Sequence, residues 1–336
     1  MQYYRENKLT ITGGKLMSVK KMILDVDTGV DDAMAITYAV ADPEVELIGV
    51  LSSYGNIDAQ RASDNALKVL HLLHADNVPV FIGETDPLDH KYQRIAINAQ
   101  IHGENGIGDV ELTETETSAE SQNGVDFLIE SAKKYGKDLT VVATGPMTNI
   151  AAAIKKDHDA MKMVGNITIM GGALTVPGNV TPVAEANIEQ DPVAANEMFT
   201  SDLEITMVGL DVTLRTLLTK KETKQWRETN TEAGEKMADI VDFYIDVYDD
   251  IYPELGGCSL HDPLAVGVAI DPSFVDYLHM NIMVTTEHDA YYARTIGDKA
   301  RLNDPETNVN VAVTVDKERY LKVFMDNFLT LFNKLK

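Results

Sequence analysis

The sequence predicts an α/β protein built on a mainly parallel, open sheet with helices on both faces and its site at the carboxyl ends of the strands. Six apolar runs of strand length recur between stretches of helical spacing: MILDV (22–26), VELIGVLSS (45–53), VPVFIG (78–83), LTVVAT (139–144), NITIMGG (166–172) and LEITMVGL (203–210). That rhythm is the signature of βαβ units. The runs are continuously apolar where a half-exposed strand would alternate, as expected of strands covered on both faces. Acidic, Gly and Thr residues follow directly on several of them, at the sheet edge where parallel folds place their ligands.

Taken in order, residues 1–20 are polar and lack the apolar run of a signal peptide. They read as an N-terminal extension, with disorder as one reading, before a single domain over 21–336; Met17 and Met22 are alternative starts. Helical spacing covers 32–41, 59–73, 124–134, 148–156 and 191–200. The segment 84–123 is long and weakly periodic and carries HGENGIGD (102–109) and an acidic run near 111–120. Loops of such length inside compact domains are usually functional or disordered. After Leu210 the pattern turns helical, with 221–250 rich in aromatic and acidic residues before GGCSLHDP. Strand-like runs return at 277–286 and 309–315, and an amphipathic helix starts at Lys317. No linker, repeat or low-complexity tract divides the chain, so one domain with a helical excursion is the economical reading.

The 336 residues hold 29 Lys and Arg against 53 Asp and Glu, a net charge of −24. Such acidity disfavours phosphate backbones and anionic lipid as partners. The only cysteine, Cys258, forms no intrachain disulfide, which makes a reducing cytoplasmic setting the default, and a semi-buried thiol is its plainest reading. No window approaches the ~18–20 apolar residues of a membrane span.

The first apolar run ends in ILDVDTGVDDAMAI. Asp25 and Asp27 are two apart and share a face if the strand continues through them. Gly29 permits a tight turn, and Asp31 and Asp32 open a helix whose N-terminus favours negative charge. Any one of these aspartates is explained by capping or a solvated turn. Four together are not, because two charges ~4 Å apart repel by about 1 kcal/mol in water and about 4 kcal/mol at an effective dielectric of 20. A cation relieves that repulsion. Only oxygen donors are on offer, which suits calcium, or less well magnesium. Farther on, Asn179, Glu185 and Asn187 in GNVTPVAEANIEQDP suit hydrogen bonding to several hydroxyls, with an irregular loop as the plainer reading. In SLHDPLAVGVAI, Asp262 as N-cap with Pro263 at the first helical position is a complete structural account. Thr144 ends one strand and offers a carbonyl at the same sheet edge, and Asn56 offers support for the aspartates or plain turn chemistry.

The order of the pieces is more specific than any one of them. DVDTGVDDAMAI (25–36), YGN (54–56), IHGENGIGD (101–109), ATGPMTNIA (143–151), IMGGA (169–173), GNVTPVAEANIEQDPVAAN (178–196) and HDPLAVG (261–267) together resemble the inosine-uridine-preferring nucleoside hydrolases. The resemblance runs from about Lys21 to the C-terminal helix. It implies hydrolysis of the N-glycosidic bond of ribonucleosides to ribose and free base. It makes Asp27, Asp32, Asp262 and the carbonyl of Thr144 ligands of a calcium ion, and Asp31 the grip on the ribose hydroxyls. Asn179, Glu185 and Asn187 become further sugar contacts, Asn56 a polar residue beside the metal, and His261 a group that activates the leaving base. It also implies a homodimer or homotetramer in nucleoside salvage. Calcium acidifies water weakly, so a water held by it needs a base, and Asp27 is the natural acceptor. Two departures stand out: Thr28 replaces a frequent proline, and Ala186 a frequent phenylalanine, which removes an aromatic surface near the nucleoside. The segment 242–257 is implied to lie over the base, although Tyr244, Tyr248 and Tyr252, four apart, also read as a packing stripe.

Two rival readings differ in class. A strand ending in D-x-D also opens the haloacid-dehalogenase-like phosphohydrolases, with Asp25 as nucleophile and magnesium as cofactor; Thr28 and the DD and HDP elements fit that scheme poorly. A non-catalytic nucleoside or ribose sensor is the other.

Overall fold

The computed structural model describes residues 9–12 and 15–336. A short antiparallel hairpin, Leu9–Thr12 with Lys15–Ser18, occupies part of the N-terminal extension; positions 1–8 and 13–14 of that extension lie outside the described residues. Eight strands form the main sheet: β1 (Lys20–Val26), β2 (Val45–Ser52), β3 (Val80–Ile82), β4 (Leu139–Ala143), β5 (Asn166–Met170), β6 (Ile205–Val208), β7 (Val275–Met280) and β8 (Val309–Val315). Their spatial order is β7-β8-β6-β5-β4-β1-β2-β3. All neighbours are parallel except β7, which runs antiparallel to β8 at one edge. The chain therefore lays β2 and β3 on one side of β1, then returns to place β4, β5 and β6 on the other. The crevice at such a reversal, beyond the carboxyl ends of the strands, is the natural ligand site of an open α/β sheet.

Helices cover both faces, as the unbroken apolar runs require. One face carries α1 (Val30–Ala41), α2 (Ala59–Leu72), α8 (Lys220–Arg227), α9 (Glu232–Ile251), α10 (His261–Ile270) and α11 (Lys317–Lys334); the other carries α4 (Gly124–Tyr135), α5 (Thr148–Lys156) and α7 (Pro192–Thr200). Two shorter helices lie at the site, α3 (Ala96–His102) and α6 (Ala186–Gln190). The run 277–286 does not form one strand. It breaks into β7 and Ile282–Val284, which pairs with Thr295–Gly297 in a separate two-stranded sheet. The helical stretch 221–250 likewise divides into α8 and α9, each with its own threonine N-cap, Thr219 and Thr231.

The helix α10 is buried on every side and packs against α1 and β5, which accounts for its apolar sequence, HDPLAVGVAI. Its last carbonyls, of Ala269 and Ile270, accept from Lys20 Nζ at 3.0 and 2.5 Å, a cationic cap that complements the helix dipole. Close approach is secured at Gly267, where an added Cβ would lie 2.4 Å from the Tyr320 ring. The same face is closed by a buried aromatic stack: Trp226 lies 5.0 Å from Phe328, with Phe324 and Phe332 beside it. Replacing Phe328 with alanine should destabilise the fold by about 3–5 kcal/mol, read as a shift of the urea unfolding midpoint at unchanged slope; a shift worth under 1 kcal/mol would show that the stack is dispensable.

Candidate active site

The site grows from the reversal at β1. That strand ends at Val26, so Asp27 is already off it and the two-residue alternation that would give it the facing of Asp25 lapses. Asp25 turns to the α5 side, where its Oδ1 accepts from Asn149 Nδ2 at 2.7 Å, and its other oxygen is buried without a partner. Asp27 turns to the β2 and α1 side. Its Oδ2 accepts from the Asn56 main-chain N–H at 2.6 Å and its Oδ1 from Asn56 Nδ2 at 3.2 Å. The backbone at Gly55 passes so close that an added Cβ would sit 1.9 Å from Asp27 Oδ2. Asn56 also reaches Asp32 Oδ2 at 3.4 Å, tying the two carboxylates together.

The helix α1 starts at Val30 with Gly29 as its N-cap, and Asp31 and Asp32 lie in its first turn. Asp32 Oδ2 accepts from the Gly29 N–H at 2.8 Å and its Oδ1 from Thr144 Oγ1 at 2.7 Å. Asp262 proves not to be an N-cap: α10 begins two residues earlier than that reading places it, at His261, with Leu260 in the cap position and no side-chain cap bond. Its carboxylate is thereby released to face Asp31 and Asp32, and oxygens of these three acids lie within 4.8 Å of one another. Two helix N-termini, of α1 and α10, thus aim their positive ends at one point.

Burial is what makes the cluster unusual. Asp25, Asp27 and Asp32 are fully buried, and Asp31 and Asp262 nearly so. Loss of hydration drives the Asp25 and Asp31 carboxyls up to about 7, helped in both by the charge of Asp32. Asp27 and Asp262 are raised too, by burial and then by their acidic neighbours. Asp32 is raised by burial and partly restored by its bonds from Thr144 and Gly29. A hard cation fits this set: the donors are all oxygens, and those of Asp32 and Asp262 converge with Asp31, whose buried Oδ1 has no hydrogen-bond partner and is open to the cation or to a hydroxyl beside it.

A cavity of about 350 Å³ opens above the cluster. Asp31, Asn56, Thr144, Glu185, Asn187, His261 and Asp262 give it a polar floor, and Tyr244, Tyr248, Tyr252 and His102 an aromatic wall. Asn179 stands at its exposed rim, its Oδ1 holding the Ala186 N–H at 3.0 Å. Glu185 is the N-cap of α6 and accepts from the N–H groups of Gly172, Asn187 and Ile188 at 2.9–3.1 Å. Asn187 Nδ2 donates to the Thr144 carbonyl at 2.6 Å and to that of Met170 at 3.1 Å. Of the ten residues expected at the site, eight line the cavity or its rim; Asp27 and Asp32 lie beneath it and support the floor through Asn56 and Thr144.

The tyrosines are both packing and lining: Tyr244 and Tyr248 are buried on α9, and Tyr252 caps its C-terminus. His261 is held at both ring nitrogens, Nε2 by Tyr248 Oη at 2.7 Å and Nδ1 by Thr213 Oγ1 at 2.8 Å, and burial lowers its pKa to about 4. His102 was not singled out in the sequence, although it opens the HGENGIGD motif. It closes α3, accepts from the Val30 N–H at 3.2 Å, lies 3.8 Å from Asp31 and stacks on Tyr244. Burial, with Arg94 and His261, lowers its pKa to about 3. The long segment 84–123 is thus a wall of the cavity, buckled down by Arg94 to the carbonyls of Asn56 and Gly103 at 2.9 and 2.7 Å. Cys258 is wholly buried and its thiol pushed up, so it is an inert packing group. Asp25, the nucleophile of the phosphohydrolase reading, does not reach the cavity.

Comparison with known proteins agrees with this geometry. A family model described as inosine-uridine preferring nucleoside hydrolase matches residues 22–322. Among solved structures, the purine-preferring ribonucleoside hydrolase from Gardnerella vaginalis is similar at 52% identity with a TM-score of 0.92, over 94% of this chain and 100% of that one. Probable uridine nucleosidase 2 of Arabidopsis thaliana is 34% identical over 316 residues, 92% of this chain and 98% of the relative. The pyrimidine-specific ribonucleoside hydrolase RihA of Shewanella sp. (strain MR-4) is 32% identical, over 92% and 96%.

The raised carboxyls set a pH dependence. Their folded pKa values lie above the unfolded ~3.9, so the stability they contribute is present below that value and lost as pH rises through about 7. The two depressed histidines act in the opposite sense until pH passes their unfolded value of about 6.5, so the window from about pH 7 to about pH 8.5 isolates the acids. In chelator, the melting temperature should fall from about pH 7 to about pH 8.5, and saturating calcium should raise it more at the higher pH than at the lower. A flat melting temperature and a pH-independent calcium shift would contradict this.

Proposed function

The chain belongs to the inosine-uridine preferring nucleoside hydrolase family, N-glycosyl hydrolases that act on ribonucleosides, and from that premise we propose that it splits purine ribonucleosides to ribose and free base with calcium as its cofactor. The observation that carries this reading is the cavity itself, with buried carboxylates for a floor and an aromatic wall. The purine preference rests on the wall and on the 52% identical purine-preferring relative. The uridine and pyrimidine names of more distant relatives favour a second reading, preference for pyrimidines.

Calcium would be held by Asp27, Asp32, Asp262 and the Thr144 carbonyl, where it supplies a fixed positive charge that gathers these oxygens and orients the ribose diol and a water. Asp27, steadied by both donors of Asn56, takes the proton of the attacking water. Its raised proton affinity suits a general base. Asp31 receives the ribose hydroxyls, and Glu185, Asn187 and Asn179 bind the rest of the sugar. Breaking the C1′–N bond builds positive charge on the ribose ring, and the surrounding carboxylates stabilise it without reorganising. The base departs more easily with a proton, and His261 governs that proton through Tyr248, since neither ring nitrogen is free to reach the base directly. No helix of the described residues is long and apolar enough to cross a membrane. A cytoplasmic homodimer or homotetramer completes the reading, supported by the single, buried cysteine and by the family pattern.

A reducing-sugar assay with inosine, adenosine, uridine and cytidine tests it. Inosine should be the best substrate, and Asp27→Ala or chelation should each lower kcat by about 10²–10⁴-fold; full activity after both treatments would sink the metal-and-base mechanism. Among the described residues no Lys or Arg lines the cavity, so a phosphate would meet buried carboxylates with no cationic side chain beside them. Inosine 5′-monophosphate should therefore show a kcat/KM at least about tenfold below that of inosine, and equal efficiencies would refute discrimination by charge.

A further inference from the structure

The bond between Thr213 and His261 has a direction that the chemistry of the two groups decides. A hydroxyl carries one proton to donate, and a neutral imidazole carries one N–H and one lone pair. Thr213 is wholly buried, and among the described residues the sole hydrogen-bond partner of its Oγ1 is His261 Nδ1, at 2.8 Å. Were Nδ1 protonated, Thr213 would accept from it and leave its own proton buried without an acceptor, at the cost of desolvating that group. With Thr213 as donor no proton is stranded. Nδ1 then offers its lone pair, the imidazole proton sits on Nε2, and Nε2–H donates to Tyr248 Oη at 2.7 Å. Tyr244 also donates to Tyr248 Oη, at 3.4 Å. With its oxygen accepting from both neighbours, Tyr248 has its own proton left for the cavity it lines.

Thr213 is well placed to impose this order. It ends the short helix Leu210–Thr213 that follows β6. That helix is pinned by Asp211, whose carboxylate accepts from the main-chain N–H groups of Leu174 and Thr175 and from the Thr175 hydroxyl at 2.6–3.0 Å. We propose that Thr213 is a positioning residue for glycosidic cleavage: its hydroxyl selects the Nε2–H form of His261 and so aims the chain Thr213–His261–Tyr248 toward the leaving base, with the Tyr248 hydroxyl as the terminal donor; the tyrosinate oxygen it leaves, held by His261 Nε2–H and the Tyr244 hydroxyl, regains its proton from water after the base departs. The proposal rests on the hydrolase reading and deepens it.

Thr213→Val removes the hydroxyl at nearly constant shape, and Thr213→Ser restores it. With inosine, whose base needs a proton, Thr213→Val should lower kcat by about 10–100-fold with KM within about threefold. With p-nitrophenyl β-D-ribofuranoside, whose leaving group needs none, kcat should stay within about threefold of the parent enzyme, and Thr213→Ser should stay within about threefold on both substrates. Equal losses on the two substrates, or an undiminished kcat on inosine, would overturn the proposal. A parent enzyme inactive on both would instead overturn the hydrolase reading. Should Thr213→Val fail to fold, nitrogen chemical shifts of the histidine-labelled parent decide, with His261 assigned by the signal lost in His261→Asn: Nε2–H is expected, and Nδ1–H would overturn the proposal.

Discussion

Five carboxylates held together out of water are the constraint on which the rest of this molecule depends. Asp25, Asp27, Asp31, Asp32 and Asp262 are all buried, and like charges at such spacing repel by several kcal/mol at protein dielectric. The fold offsets this with positive ends. The N-termini of α1 and α10 point into the cluster, and donors from Asn56, Thr144, Gly29 and Asn149 take up individual oxygens. What these do not offset is left to protons or to a cation. A site of this kind is strained when empty and relaxed when loaded, which couples the stability of the protein to the ligand it serves.

The geometry also separates acids that look alike in the chain. Asp25 is two residues from Asp27, yet the end of β1 at Val26 sends the first to Asn149 behind the sheet and the second to Asn56 beneath the cavity. Glu185 carries two loads at once, capping α6 through main-chain donors while lining the floor. Four lone-pair sites on a carboxylate allow both, with three occupied by N–H groups. Structural and functional readings of that residue are therefore not competitors.

The segment 84–123 and the helix α9 give the cavity its walls, and they are held differently. Tyr244 and Tyr248 belong to the core of their face, whereas α3 is buckled through Arg94 and Asn98 to the carbonyls of Gly55 and Asn56. The turn that supports Asp27 is thus also the anchor of the wall beside it. Disturbance of one is felt by the other, because the same three residues, 54–56, lie at the end of β2 between them.

The sequence by itself determined the α/β class, the edge of the sheet that bears the site and the acidic motif that opens it. Continuous apolar runs, helical spacing and the order of short motifs are all local or linear signals. It also placed Asn56, Thr144, Glu185, Asn187 and His261 near one another by resemblance. What only the tertiary structure decided depends on where helices begin and what they face. Asp262 reads as an N-cap until α10 starts two residues early and turns it onto Asp31 and Asp32. The run 277–286 reads as one strand until its halves pair with different partners. Thr213 has no local signature, and His102 lies in a motif that does not reveal its role, since each matters through a partner 48 or 72 residues away. Hydrophobic periodicity reports which face of an element is buried; which polar groups then meet is fixed by packing between distant segments, and there the chemistry of this site is settled.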